Sequence, residues 1–235
     1  MKTNLTMEAR ALQKTLGLRW PPISVTFTND PPSDIVRIDQ PAPSGCTYWK
    51  HAAEGNVFYT DASDHYGCTI GAYTHGVELP PALSKQLDGM IKTMVDLSYL
   101  KKDEVAAIPR RENSFRFAIY APLADAPVEP DVVIVRGNAK QMMLLAEAMN
   151  ATDVSSSSGI KGRPTCAMIP TVMKMQQSAM SLGCIGNRVY NQVADEEMYA
   201  AMPGIKLTDA LALLSTIVDA NSELERFHFA RLENI

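Results

Sequence analysis

Apolar residues recur along this chain at two different spacings, and the switches between them mark out its elements. In residues 5–19, Leu5, Ala9, Leu12 and Leu16 follow the helical spacing ahead of Gly17, which predicts an opening helix. Trp20-Pro21-Pro22 breaks it. Ile23, Val25 and Phe27 then recur at every second position, the mark of a strand over 23–28. Asn29-Asp30-Pro31-Pro32 signals a turn, and the Pro- and Asp-rich stretch 33–45 reads as loop. A short helix is expected over 46–55 and a strand over 57–60. Pro80-Pro81 opens an amphipathic helix whose stripe of Leu83, Leu87, Met90, Ile91, Met94 and Val95 is expected in the core.

Residues 115–120 alternate again and predict a strand. Residues 121–130 hold three prolines and predict a loop. Val132-Val133-Ile134-Val135 is continuously apolar, as in a strand buried on both faces. Asn138 then caps a helix through Met142, Met143, Ala146 and Met149. A run of four serines and a glycine, 155–159, reads as a flexible joint. A helix is expected over 196–202, with Asp195-Glu196-Glu197 as its acidic first turn. After Pro203-Gly204, Thr208 caps a helix bearing Leu211, Leu214, Ile217 and Val218, and the tail from Ser222 keeps a helical pattern. The expected fold class is therefore α+β (mixed α/β), a single compact domain over 1–235. It divides into two pseudo-related lobes, 1–154 and 159–235, if the serine-rich joint separates them.

Cysteine placement is the most informative chemical pattern. The four cysteines fall as two sequence pairs, Cys46/Cys68 and Cys166/Cys184, with three of them directly after glycine. Ser44 and Thr165 are placed to cap helix starts at Cys46 and Cys166, where thiolate is stabilised. Each half carries a Cys, a gap near twenty residues, and then Gly-Cys with a nearby Gly.

Four thiolates are the usual ligand set of an iron–sulfur cluster. The leading expectation is a metal centre, 4Fe–4S in type, held by Cys46, Cys68, Cys166 and Cys184, with a redox or substrate-binding role. Arg163 and Arg188 would supply positive charge to the centre or to an anionic substrate. His65 and His75 are reserve ligands or proton donors. Three alternatives remain open. One is zinc, since His65, Cys68 and His75 sit within eleven positions. Another is a cysteine-dependent enzyme, with His51 five residues after Cys46 and Asp64-His65 near Cys68. The last is a metal-free small-molecule binding or regulatory domain whose cysteines are structural.

The segments Cys46-Thr-Tyr-Trp-Lys-His-Ala-Ala-Glu-Gly55, His65-Tyr-Gly-Cys-Thr-Ile-Gly71, Arg163-Pro-Thr-Cys166 and Ser181-Leu-Gly-Cys-Ile-Gly-Asn-Arg188 together resemble the "domain of unknown function 169" family of bacteria and archaea. The resemblance runs from about Trp20 to the tail. It carries no settled activity or substrate. It implies a cytoplasmic prokaryotic protein, and it marks the four cysteines and Arg188 as the positions to watch.

Composition narrows the setting. The 235 residues are 46% hydrophobic and 20% charged, enough for a sizeable core. A net charge of −4 with no basic block argues against nucleic acid or anionic membrane as a partner. No apolar run reaches the roughly 18 residues of a membrane helix, and the first ten residues lack a secretory apolar stretch. The expectation is a cytoplasmic protein meeting a small molecule or a redox partner, with a homo-oligomer plausible at this size. Walker, dinucleotide-binding and Gly-x-Ser-x-Gly motifs are absent from the sequence.

Overall fold

The computed structural model describes residues 2–40, 42–112, 115–154 and 164–233. In chain order its elements are α1 (Lys2–Leu16), β1 (Ile23–Thr28), β2 (Val36–Arg37), α2 (Thr47–Ala53), β3 (Phe58–Asp61), α3 (Thr69–Thr74), α4 (Pro81–Asp96) and α5 (Lys102–Ala106). There follow β4 (Phe117–Pro122), β5 (Val132–Asn138), α6 (Ala139–Ala151), α7 (Met168–Met175), β6 (Ala179–Ser181), α8 (Ile185–Tyr190), β7 (Glu197–Pro203), α9 (Leu207–Leu211) and α10 (Leu214–Leu232). The fold is α+β and forms one compact unit. All seven strands join one sheet in the order β2-β3-β4-β1-β5-β7-β6, antiparallel except for the short β2·β3 pair.

Helices cover both faces of the sheet. Val132 to Val135 show why: all four are buried, Val132 and Ile134 in one core and Val133 and Val135 in the other. Each such side chain contributes about 1.5–3 kcal/mol by leaving water. The first core packs α2, α3 and α7 against the sheet through Tyr48, Trp49, Ala72, Ile169 and Val172. The second packs α1, α6 and α9 through Leu12, Leu16, Leu145, Met149 and Leu207. At the turn into α6, Asn138 Oδ1 accepts from Gln141 N at 2.9 Å and Gln141 Oε1 accepts from Asn138 N at 2.8 Å. Gln141 Nε2 also donates to the carbonyls of Leu16 and Gly17, so one side chain stops α1 and starts α6.

An internal twofold relates the strand triplets β3-β4-β1 and β6-β7-β5. The triplets meet at β1·β5, where Ser24 pairs with Val133 and its neighbours pair symmetrically, Ile23 with Ile134 and Val25 with Val132. The registers repeat on either side. Ile23 pairs with Pro122 and Val132 with Pro203, and a 3₁₀ turn follows each proline. Helices α2 and α7 precede β3 and β6 and pack in corresponding ways, α2 on β4 and β1 and α7 on β7 and β5; α3 and α8 follow β3 and β6 in the chain. Strands from before and after the serine-rich joint pair in this one sheet; the joint itself lies outside the described residues.

Two expectations differ from the structure. Of the stripe on α4, only Leu87 is buried; Leu83, Met90, Ile91, Met94 and Val95 are half-exposed, because α4 lies outside the two helical layers and touches mainly α3. Residues 196–202 do not form a helix. All but Glu196 lie in β7, a seven-residue strand buried along its whole length between β5 and β6. Met, Ala and Glu favour helix locally, but pairing on both edges within the sheet overrides that preference.

Candidate functional site

Each of the four cysteines stands at the start of a helix, and two of them, Cys46 and Cys166, belong to the first core. Cys46 precedes α2, Cys68 is the N-cap of α3, Cys166 lies in the 3₁₀ turn Thr165–Ala167 before α7, and Cys184 is the N-cap of α8. All four are free thiols. Cys46 and Cys166 are buried, while Cys68 and Cys184 are half-buried. A β-carbon at Gly71 would stand 3.4 Å from Cys68 Sγ and 4.0 Å from Cys166 Sγ, so these two sulfurs flank the glycine. Cys46 is held from the other side: Asn191 Nδ2 donates to its carbonyl at 3.0 Å, and Ser44 Oγ lies 3.2 Å from its sulfur. The Cys184 backbone N–H donates to Thr165 Oγ1 at 2.5 Å, tying it to the residue before Cys166.

Burial keeps three of these thiols, Cys46, Cys68 and Cys166, protonated. Burial pushes the Cys46 thiol up, raises Cys68 to about 11, and drives Cys166 well above its usual range, with the neighbouring cysteines adding to each. This corrects the expected metal centre. Among the described residues, no group of three or more His, Cys, Asp or Glu side chains is arranged to hold a metal ion. Cys46, Cys68, Cys166 and Cys184 are therefore not the ligands of an iron–sulfur cluster here, and the zinc alternative fails on the same ground. A physical reason lies in the setting of three of them: Cys46, Cys68 and Cys166 are held as S–H groups by burial, and ligation needs thiolate.

The histidines face elsewhere. His65 and His75 are fully buried with ring centroids 5.1 Å apart. Thr60 Oγ1 donates to the Ala118 carbonyl and thus accepts from His65 Nε2 at 3.0 Å, which leaves His65 Nδ1 unprotonated against Gly45. His75 Nδ1 donates to the Gly71 carbonyl at 2.7 Å. Burial holds His75 down at about 4 and His65 well below its usual value, so both are neutral. Neither bonds a thiol among the described residues. Arg188 commits its guanidinium to the carbonyls of Ala194, Leu182 and Glu197, bracing the α8 loop against β7. Arg163 lies outside the described residues.

Between α2 and the sheet lies an open-mouthed cleft of about 20 Å³ that no cysteine lines. Trp20, Trp49, Lys50, Arg136 and Tyr199 line it, with Pro21, Ile23, Ala53 and Ile134 as apolar walls. Arg136 is fixed. Its Nε donates to Glu197 Oε2 at 3.0 Å, Nη1 to the Asn191 carbonyl at 3.1 Å and Nη2 to the Gln192 carbonyl at 2.8 Å, with Nη2 also on Glu197. Its guanidinium stacks over Trp20, 5.0 Å from the ring centroid. Lys50 pairs with Glu54. By contrast, the indole Nε1 atoms of both Trp20 and Trp49 are buried and meet no acceptor. The sequence reading named none of this cleft. A charged residue directly after the apolar run 132–135 was the available signal: Arg136 continues the buried strand, so it demands a buried partner.

The chain matches the DUF169 family, described as "Uncharacterised ArCR", over residues 11–212. It belongs to that family. DUF169 membership brings no activity with it. An uncharacterised protein of Methanocaldococcus jannaschii, MJ0308, is 30% identical over 156 residues, 62% of this chain. The matched stretch spans 65% of that relative's length, less than two thirds. No solved structure matches this DUF169 chain. No helix among its described residues is long and apolar enough to cross a membrane.

Proposed function

We propose that this chain is a small-molecule-binding protein that works without a metal and takes its ligand in the cleft beneath α2. One observation carries the reading. The only two tryptophans of the chain line the same cleft, and the buried indole N–H of each lacks an acceptor. An unmet buried donor costs about 1–3 kcal/mol, so a site with two of them is one a ligand oxygen completes. The cleft admits little more than one water-sized group, whose threshold is roughly 10–15 Å³. Only the acceptor end of a ligand enters. Its remainder lies along Pro21, Ile23 and Ala53 toward the open mouth. Nearby cations favour a carboxylate over a neutral carbonyl, although Glu197 and Glu54 offset much of their charge. The frame is rigid, because Arg136 is bonded on three sides, and a preorganised site loses little on binding. The raised thiols of Cys46, Cys68 and Cys166 and the neutral imidazoles of His65 and His75 support binding over catalysis by those groups.

Both tryptophans sit at the site, so intrinsic fluorescence reports on it directly. Titration at constant ionic strength uses acetate, butyrate and hexanoate, with acetamide as the neutral control. A saturable change for the carboxylates, abolished by Ala53→Leu, which fills the mouth and leaves both indoles in place, is the expected result. A linear response, or an equal response in the Ala53→Leu variant, overturns the proposal.

A further inference from the structure

The apolar stripe of α4 enters neither helical layer, and part of it looks onto a second cleft. Ser84, Leu87, Asp88 and Ile91 stand at i, i+3, i+4 and i+7 on one side of α4 and line this cleft, which measures about 360 Å³. Ile70 and Tyr73 of α3 and Val105 of α5 supply further walls. Leu87 is buried at its edge, and Ile91, Ile70 and Val105 are half-buried. The volume falls within the roughly 300–1,000 Å³ of small-molecule sites, far above the cleft beneath α2.

Two charged side chains of opposite sign line the same cleft, Asp88 from α4 and Arg110 from the segment after α5. Among the described residues they form no ion pair, with each other or with any third group. The charges around them are committed elsewhere: Lys92 pairs with Asp96 at 2.5 Å, Lys174 pairs with Glu112 at 3.1 Å, and the Arg111 guanidinium lies over Phe27 and Phe115. Arg110 is nonetheless positioned. Its guanidinium stacks over Tyr73, 5.2 Å from the ring centroid, and the next residue anchors the backbone, Arg111 N donating to the Thr74 carbonyl at 2.9 Å. A guanidinium held by its flat face keeps its N–H edge for a carboxylate. Opposite charges left unpaired in one apolar-walled cleft match a ligand that carries both charges and an apolar group.

We propose that this second cleft binds a free α-amino acid with an apolar side chain. The ligand carboxylate meets Arg110, its ammonium meets Asp88, and its side chain lies against Leu87, Ile91 and Ile108. An exposed ion pair contributes little by itself, so selectivity comes from meeting both charges while an apolar group leaves water. Helix α4 touches the rest of the molecule mainly through α3, so a ligand held by both Asp88 and Arg110 ties α4 to the segment after α5. This cleft shares no residue with the one beneath α2 and stands whether or not the carboxylate reading of that cleft does.

The test titrates leucine and phenylalanine, over about 0.05–20 mM, into the full chain carrying Ala53→Leu, with saturation-transfer NMR as the readout. That substitution fills the mouth beneath α2, so carboxylate binding there does not contribute. Isocaproate keeps the carboxylate and side chain of leucine without the ammonium, and isoamylamine keeps the ammonium without the carboxylate. Saturable binding of both amino acids is expected. It should weaken at least about tenfold when either charge is removed from the ligand, and by as much in Asp88→Asn and in Arg110→Gln. Both side chains are exposed, so these variants should keep the wild-type urea midpoint. Bound leucine should also slow amide exchange in α4. The proposal is overturned by a response that does not saturate, by isocaproate binding as tightly as leucine, or by leucine binding unchanged in both variants.

Discussion

Acid should destabilise this protein through its paired imidazoles, and the size of the effect follows from His75. This ring is fully buried, donates through Nδ1 to the Gly71 carbonyl, and lies 5.7 Å from Phe27. Burial first, and the nearby Arg111 guanidinium after it, hold its pKa at about 4 rather than 6.5, against the opposing pull of the Gly71 bond. The folded value lies below the unfolded one, so the unfolded chain takes up the proton first as pH falls. Stability from this group is therefore complete above about 6.5, is lost between 6.5 and about 4, and falls no further below that. The whole interval amounts to about 3 kcal/mol, of which about 2.5 kcal/mol is gone by about pH 4.5. His65 acts in the same direction, because burial and then His75 lower it too. The assay compares urea midpoints of the wild type and His75→Asn between about pH 7.5 and 4.5. The asparagine amide can retain the bond to Gly71, and carboxylates common to both proteins cancel in the difference. The variant should be the less stable at neutral pH and should close the gap by about 2.5 kcal/mol in acid. A difference that stays flat across the range refutes the reasoning.

Four further outcomes are expected. Glu197→Ala leaves Arg136 buried without its carboxylate and should cost about 3–5 kcal/mol by urea denaturation; a loss below about 1 kcal/mol would show the pair to be dispensable. Gly204→Ala puts a β-carbon 1.8 Å from the Pro130 carbonyl oxygen and should cost 3 kcal/mol or more, about the upper end for overpacking. Gly71→Ala meets only ordinary contacts with two sulfurs inside α3 and should be neutral or stabilising by up to about 1 kcal/mol, the same urea titration separating the two. N-ethylmaleimide should label Cys184 ahead of buried Cys46 and Cys166 in the native protein, as timed peptide mapping would show; equal rates for the three contradict the packing.

Local patterns exposed much of the scaffold. The alternation of Ile23, Val25 and Phe27 matches β1 at both ends, and the apolar run 132–135 is the doubly covered β5. Asn138 starts α6, because an N-cap acts over three residues and needs nothing distant. What stayed hidden depends on neighbours far along the chain. Residues 196–202 look helical one by one and become strand only because β5 and β6 flank them. Glu197 looks like a surface acid until Arg136, 61 positions away, claims it. The cysteines show the same limit. Chain order pairs Cys46 with Cys68 and Cys166 with Cys184, while in the fold Cys68 and Cys166 flank Gly71. The protonation that argues against ligation comes from burial, which spacing along the chain does not report.

The seam at β1·β5 is narrow: three residue pairs cross it, whereas six join β1 to β4 and seven join β5 to β7. Backbone pairing alone thus grips each triplet more firmly than it grips the two triplets to each other. Shear between them is resisted chiefly by side chains stacked above and below the seam.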